Sequence, residues 1–71
     1  MDIVFTHHVQ YRLIERDIST ERVRQVILQA KTREKIEQNL LMVRGSIEGK
    51  TLEVIYKEEG KKKIVITSYY L

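Results

Sequence analysis

An imidazole and two guanidiniums recur at intervals of four residues near the start of the chain, at His8, Arg12 and Arg16. Residues four apart lie on the same face of an α-helix, so a helix over this stretch would carry the three side chains as one cationic ridge. Guanidiniums bind phosphate oxygens through charge-assisted and often bidentate hydrogen bonds. The spacing therefore predicts a phosphate-binding ridge.

His8 is the member of this ridge that could transfer a proton. In the first turn of a helix the positive helix end disfavours the imidazolium form, and a neutral imidazole suits a general base near neutral pH. Arg12 and Arg16 would hold a phosphate and stabilise charge that develops on it. A structural role is the alternative: His8 is half-buried, Arg12 covers a sheet edge with its stem, and Arg16 pairs with a neighbouring acid or caps carbonyls.

Further candidates lie in the second half of the chain, which alternates apolar and polar residues. Thr67 and Tyr69 belong to its last stretch, where an outward tyrosine would stack on a base or donate its hydroxyl to a phosphate. Cations that could bind a nucleic-acid backbone are Arg44, Lys57, Lys61, Lys62 and Lys63. The other interpretation of these cations is that they are solvated strand residues and strand ends.

Other kinds of site lack the residues they need. His7 and His8 are adjacent, project about 100° apart on a helix and cannot chelate one metal ion from the same face. Neither histidine has a carboxylate at zinc-site spacing, and the three glycines form no phosphate-binding loop. The sequence predicts neither a metal site nor a cofactor.

Two helices are predicted first, and each has a hydroxyl residue in the position of an N-cap. Thr6 precedes the ridge, whose buried stripe is Val9 and Leu13. Ser19 precedes a second helix in which apolar residues recur at i, i+3, i+4 and i+7 from Val23 onward. Ile18, just before Ser19, is placed to pack on Val23 as a hydrophobic staple.

From residue 31 onward the apolar period changes to two, which indicates strands. We predict a weak strand over 32–37, stronger strands over 40–47, 51–57 and 62–71, and only a lead-in over 1–4. Short connections force neighbouring strands to be antiparallel. On the last strand, alternation assigns Ile64 and Ile66 to one face and Val65, Thr67 and Tyr69 to the other. The predicted fold class is α+β, with two N-terminal helices packed on a three- to four-stranded antiparallel sheet.

Length and composition limit the class of protein further. The chain has 71 residues, enough for a single domain over 1–71, and 13 basic against 10 acidic residues give a net charge of +3. This modest positive charge supports nucleic-acid binding without requiring it. Cysteine is absent and no apolar run is long enough for a signal peptide or a membrane span, so we expect a soluble cytoplasmic protein without a membrane partner.

The helix residues resemble a family of small uncharacterised domains that open on a shared pattern. The matching residues here are Thr6, His8, Val9, Arg12, Leu13, Arg16, Ile18 and Ser19. The same domains close on an apolar strand that ends in threonine and aromatic residues, and the stretch 64–70 is similar to it. Such domains are grouped with the RelE-like and barnase- or colicin-like ribonuclease toxins, which pack one or two helices on an antiparallel sheet.

This resemblance implies metal-independent RNA cleavage by a toxin that an antitoxin protein neutralises. His8 would be the base or acid, Arg12 and Arg16 would clamp the phosphate, and the last strand would complete the site through Thr67 and Tyr69. Two other classes remain open. One is a non-catalytic module that binds nucleic acid or protein through the same face, and the other is a scaffold that acts by assembling with itself or another chain through exposed strand edges.

Overall fold

Five strands and two helices make up residues 2–71, the part of the chain that the computed structural model describes. Their order is β1 (Asp2–Phe5), α1 (His7–Glu15), α2 (Thr20–Gln29), β2 (Glu34–Glu37), β3 (Leu40–Ile47), β4 (Lys50–Glu59) and β5 (Lys62–Tyr70). The strands form one sheet in the order β1-β5-β4-β3-β2, and the buried residues of both helices pack on one of its faces. The α+β class is confirmed.

Both helices begin at the predicted caps. The Thr6 hydroxyl accepts a hydrogen bond from the Val9 main-chain N–H at 3.2 Å, and the Ser19 hydroxyl accepts one from the Arg22 N–H, also at 3.2 Å. Each hydroxyl satisfies an N–H that has no carbonyl partner in the first helical turn. The local signals thus place the starts of α1 and α2 correctly.

A tight turn after α1 sends the chain directly into α2. The Ile18 N–H donates to the Leu13 carbonyl at 2.9 Å and the Asp17 N–H to the Ile14 carbonyl at 3.1 Å, the two bonds of a Schellman motif. Asp17 adopts a positive φ of 57° at the position where glycine is usual. Ile18 is left buried in the core, where α2 begins.

The sheet is mixed, so the prediction of a three- to four-stranded antiparallel sheet is wrong. The predicted lead-in is a strand, β1, which runs parallel to β5 and pairs from Asp2 with Lys62 to Phe5 with Val65. The helices therefore follow one strand rather than opening the fold. β1 is only four residues long and its partner strand, β5, lies about 60 positions away in the chain, so no local sequence pattern predicts the pairing.

The core lies between the helices and this face of the sheet. Its fully buried members include Leu13, Val23, Ile27, Leu52, Val54, Tyr56 and Val65. α2 lies close to β3 at Gly45, where an added Cβ would lie 3.0 Å from a methyl group of Val26. Glycine at this position lets the helix sit directly on the strand.

A β-bulge at Ile66 changes which face the end of β5 presents. The register passes from Tyr56 opposite Val65 to Ile55 opposite Thr67, which leaves Ile66 as an extra residue. Val65 therefore faces the helices while Thr67 and Tyr69 face away from them. The predicted strict alternation along this strand is wrong, because the inserted residue shifts every later side chain to the opposite face.

Arg33 closes the carboxyl end of α2. Its guanidinium donates to the carbonyls of Ile27 at 2.8 Å and Ala30 at 3.1 Å, and to the Tyr56 hydroxyl at 2.9 Å. The two carbonyls lie at the C-terminal end of α2, where main-chain carbonyls have no N–H donor within the helix. The segment between α2 and β2 is thereby held under the helix end and does not pair with β3.

Candidate functional site

A row of three polar side chains crosses the sheet face that points away from the helices, which we call the open face. Arg44 on β3 is opposite Glu53 on β4, and Glu53 is opposite Tyr69 on β5. Directly opposed residues on neighbouring strands have side chains within contact distance. The three residues form what we call the Glu53 cluster.

Glu53 is the centre of this cluster. The Arg44 Nε donates to Glu53 Oε1 at 2.8 Å, and the Tyr69 hydroxyl donates to the other carboxylate oxygen. Only 6% of the Glu53 side chain is exposed, although both helices lie on the opposite face. The carboxylate is covered by its neighbours on the sheet, so a ligand must move them to reach it.

The cluster shifts the pKa values of two of its members in opposite directions. The hydrogen bond from Tyr69, assisted by the hydrogen bond and the charge of Arg44, lowers the pKa of Glu53 despite its burial. The same hydrogen bond raises the pKa of the Tyr69 hydroxyl, and burial and the Glu53 charge add to the rise. At neutral pH the pair is therefore a carboxylate and a protonated phenol.

Arg16 extends the cluster along the edge of β5. Its guanidinium donates to the Thr67 hydroxyl at 3.2 Å and to the Ser68 carbonyl at 3.1 Å. β1 pairs with β5 only as far as Val65, so β1 does not cover the edge of β5 after that residue. The Arg16 guanidinium donates to the Ser68 carbonyl on this uncovered edge. The Arg16 charge also acts to lower the pKa of Tyr69, which places the guanidinium within electrostatic range of the cluster.

His8 and Arg12 lie elsewhere on α1, on its exposed surface. Arg12 makes a long ion pair of 3.9 Å with Glu15, and both side chains are about half exposed. Eight residues of helix place His8 roughly 12 Å from Arg16 along the axis. His8, Arg12 and Arg16 line none of the four best-formed cavities of residues 2–71.

The predicted nucleic-acid-binding cations fall into different environments. Arg44 belongs to the Glu53 cluster, and Lys57, also on the open face, pairs with Glu59 at 3.1 Å. Lys63 is nearly buried, bonded to Glu58 at 2.6 Å, with its Nζ 5.0 Å from the centre of the Tyr56 ring. Lys61 and Lys62 are exposed. The lysine run is therefore not one continuous basic surface.

Glu53, which the structure places at the centre of the polar row, is not among the residues predicted from the sequence. A signal was present, since Glu53 lies between Leu52 and Val54 in a stretch of the chain that is otherwise apolar as far as Tyr56. A carboxylate enclosed by core residues is rarely buried unless it is paired. Its partners, Arg44 and Tyr69, come from two other strands and are not adjacent in sequence.

A family model described as a domain of unknown function matches residues 5–70, nearly the full length. The chain belongs to the DUF4258 family. This confirms the resemblance to a family of uncharacterised domains, while the likeness of the DUF4258 domain to RelE-like toxins stays a prediction. Searches of curated proteins and of solved structures found no match.

Residues 2–71 of the DUF4258 domain contain neither a cluster of metal-ligating residues nor a membrane-spanning helix. No three histidine, aspartate or glutamate side chains of that range converge as metal ligands would. None of its helices has the length and apolar character needed to cross a bilayer. What the described residues do offer is a carboxylate, a phenol and two guanidiniums, a set suited to proton transfer and to binding of an anionic oxygen.

Proposed function

We propose that this DUF4258 domain is a metal-independent endoribonuclease, the toxin of a toxin–antitoxin pair, with its cleavage centre at the Glu53 cluster and Arg16. One observation carries the proposal: a carboxylate accepts hydrogen bonds from a phenol and a guanidinium on a sheet face without helices. Tyr69 belongs to this set and Arg16 and Thr67 adjoin it, so three of the five residues that the resemblance implies lie in it or beside it. The proposed place of action is the cytoplasm.

The cleavage step follows from the chemistry of these groups. The Glu53 carboxylate accepts the proton of a ribose 2′-OH, the 2′ oxygen attacks the adjacent phosphorus, and the bond to the 5′ oxygen breaks. Arg44 and Arg16 neutralise the charge that develops on the phosphate, and Tyr69 donates a hydrogen bond to it. The leaving 5′ oxygen takes a proton from water, since His8 lies roughly 12 Å from Arg16 along the axis of α1. The products are a 2′,3′-cyclic phosphate and a 5′-hydroxyl end.

Substrate binding would raise the pKa of Glu53, as a general base requires. In the free protein Tyr69 and Arg44 lower its pKa, which makes it a weak base. A phosphate that takes over the hydrogen bonds of Tyr69 and Arg44 removes both causes and adds a negative charge nearby, and each change raises the pKa of the carboxyl. A raised pKa brings the base closer to the working pH.

The first test is cleavage of a labelled single-stranded RNA by Glu53→Gln, which keeps the side-chain shape and removes the base. We expect the cleavage rate to fall by about 10²-fold or more, because positioned acid–base groups contribute about 10² to 10⁴. Glu59→Gln, an exposed acid on the same strand, serves as the matched control and should keep the wild-type rate. His8→Ala should also keep the wild-type rate, because His8 lies on another surface of the domain.

Unchanged cleavage by Glu53→Gln would contradict the assignment of Glu53 as the general base. Absence of cleavage by the wild-type protein at high concentration would remove the catalytic proposal altogether. Mass analysis of the products adds a second criterion, since cleavage without a 2′,3′-cyclic phosphate contradicts attack by the 2′ oxygen.

A non-catalytic module that binds RNA or a protein is the second candidate. Two observations favour it: Arg44 already balances the Glu53 charge in the free protein, and His8 lies on another surface. In that case affinity for RNA falls steeply with salt, Arg16→Ala and Arg44→Ala weaken binding, and His8→Ala leaves it intact. Such a module would bind the labelled RNA without cutting it.

A further inference from the structure

The outer edge of β3 is longer than the strand that covers it. β2 pairs with β3 only at Leu40, Leu41 and Met42, and none of the residues 2–71 forms a ladder with the outer edge from Val43 to Ile47. An uncovered strand edge presents unpaired main-chain groups, and such edges accept further strands.

Arg33 explains why the edge stays uncovered. Its three hydrogen bonds to Ile27, Ala30 and Tyr56 hold the segment after α2 beneath the helix end. β2 consequently starts at Glu34, and the preceding residues diverge from β3 instead of continuing its ladder. A groove of about 350 Å³ opens between this segment, α2 and the end of β3.

The hairpin after β3 determines which main-chain groups face the groove. A two-residue turn, Glu48 and Gly49, joins Ile47 to Lys50, and both turn residues have positive φ. The pair that closes such a hairpin is hydrogen-bonded, and the pattern alternates along the strands. The N–H and C=O groups of Arg44 and Ser46 therefore point away from β4, into the groove. No further main-chain hydrogen bond of either residue is found within 2–71.

The side chains around the groove select the chemistry of an occupant. Lys31 and Arg44 supply positive charge, and the other polar members are glutamines and hydroxyl residues. The lining contains no carboxylate. A ligand that satisfies alternating N–H and C=O groups is a peptide backbone, whereas a nucleic acid offers few donors for the carbonyls. Self-pairing of β3 with a second copy would bring Arg44 and Lys31 close to their equivalents, which disfavours it.

We infer that an extended acidic segment of a partner protein adds to the sheet as a strand along Arg44–Ser46. The inference does not depend on the proposed RNA cleavage, since the docked strand pairs with the main-chain groups of Arg44 and Ser46, which the cleavage step does not use. Glutamate or aspartate at alternate positions of the partner segment would meet Lys31 and Arg44. The docked strand would occupy the position that β2 leaves empty.

A short capped peptide of alternating valine and glutamate is the probe, titrated into ¹⁵N-labelled protein. We expect the amide signals of Arg44 and Ser46 to shift saturably and to exchange more slowly with solvent. Replacing glutamate by lysine in the peptide should weaken binding about tenfold, because the peptide side chains then carry the same charge as Lys31 and Arg44. N-methylation of the peptide amides that face β3 should abolish the shifts.

Protein variants isolate the main-chain contribution. Ser46→Pro removes an outward N–H that β4 does not use, so the fold should persist while peptide binding is lost. Ser46→Ala keeps the N–H and should bind as the wild type does. Cleavage assays on both variants separate this inference from the proposed function, because RNA turnover should not change.

Three results would overturn the inference. Equal binding of the lysine and glutamate peptides contradicts the charge argument. Slower solvent exchange of the Ser46 amide, which lies outside the Glu53 cluster, with oligouridylate in place of the peptide would assign the groove to RNA. Concentration-dependent shifts of the Arg44 and Ser46 amides without any peptide would assign the edge to a second copy of this chain.

Discussion

Glu53 shows how a single side chain acquires its properties from its neighbours. Burial alone would raise the pKa of its carboxyl, but the hydrogen bonds from Tyr69 and Arg44 outweigh burial and lower it. A carboxyl whose pKa is lower in the folded state stabilises the fold above its unfolded pKa. That contribution is lost as the pH falls through the lowered folded value, so acid should weaken this part of the sheet.

Tyr69→Phe tests this environment directly. The change removes the hydrogen bond to Glu53 and should cost about 1.5 to 3 kcal/mol of unfolding free energy at pH 7, the range for bonds to charged groups. The difference from wild type should shrink below the ordinary glutamate pKa, because Glu53 is then protonated in the unfolded chain and increasingly in the folded one. Urea unfolding at several pH values measures both quantities.

Tyr11→Phe is the matched control for this measurement. Tyr11 is 63% exposed on α1, and its hydroxyl has no hydrogen bond within residues 2–71. Its loss should leave stability within about 0.5 kcal/mol of wild type at every pH. An equal loss in both variants would mean that the Tyr69 hydroxyl bond contributes nothing specific.

The connection between α2 and β2 depends on one side chain that reaches both layers. Arg33 joins two carbonyls at the helix end to the hydroxyl of Tyr56, which is fully buried in the sheet. The three acceptors meet three different guanidinium nitrogens, a geometry that an ammonium cannot reproduce. This contact determines where β2 begins and hence how much of the β3 edge remains free.

Arg33→Ala should destabilise the domain by about 2 to 4 kcal/mol, since it leaves the buried Tyr56 hydroxyl and two helix-end carbonyls without their donor. Arg33→Lys should recover only part of the loss, because one ammonium cannot serve all three acceptors. Thermal unfolding compares these variants with Lys35→Ala, an exposed residue of β2 whose loss should be nearly neutral. Full recovery by lysine would show that charge alone matters at this position.

The two layers of the domain meet most tightly where α2 crosses β3. Val26 is 3% exposed and its methyl groups occupy the space above Gly45. β-branched side chains rarely change χ1 in a helix, so Val26 cannot rotate away from an added methyl group. Helix, strand and glycine therefore determine one another's positions.

Gly45→Ala should destabilise the domain by about 1 to 3 kcal/mol through overpacking. Val26→Ala alone should also destabilise, because it leaves a cavity in the core. The double variant should be more stable than the sum of the two losses predicts, since the new methyl group fills the space that Val26 vacates. A strictly additive double-mutant cycle, measured by urea unfolding, would mean that the two residues do not compete for space.

Elements governed by nearby residues were predictable from the chain alone. Thr6 and Ser19 act on N–H groups three residues away, and β3 has the predicted bounds because its alternation and flanking turns are local. Arg16 contacts Thr67 on the last strand, whereas in the sequence only the resemblance, and no local pattern, links these two residues. His8 and Arg12, on the same helix, have no comparable contact with β5.

Contacts between strands decided the rest. The parallel pairing of β1 joins segments about 60 positions apart, and the bulge at Ile66 and the burial of Glu53 depend on the register between strands, which the alternation within one strand does not encode. The bulge moved Tyr69 to the face away from Val65, and that shift brought Tyr69 to Glu53 and Arg44. The sequence shows which residue types are present, but packing and strand register across the sheet bring Arg44, Glu53 and Tyr69 together.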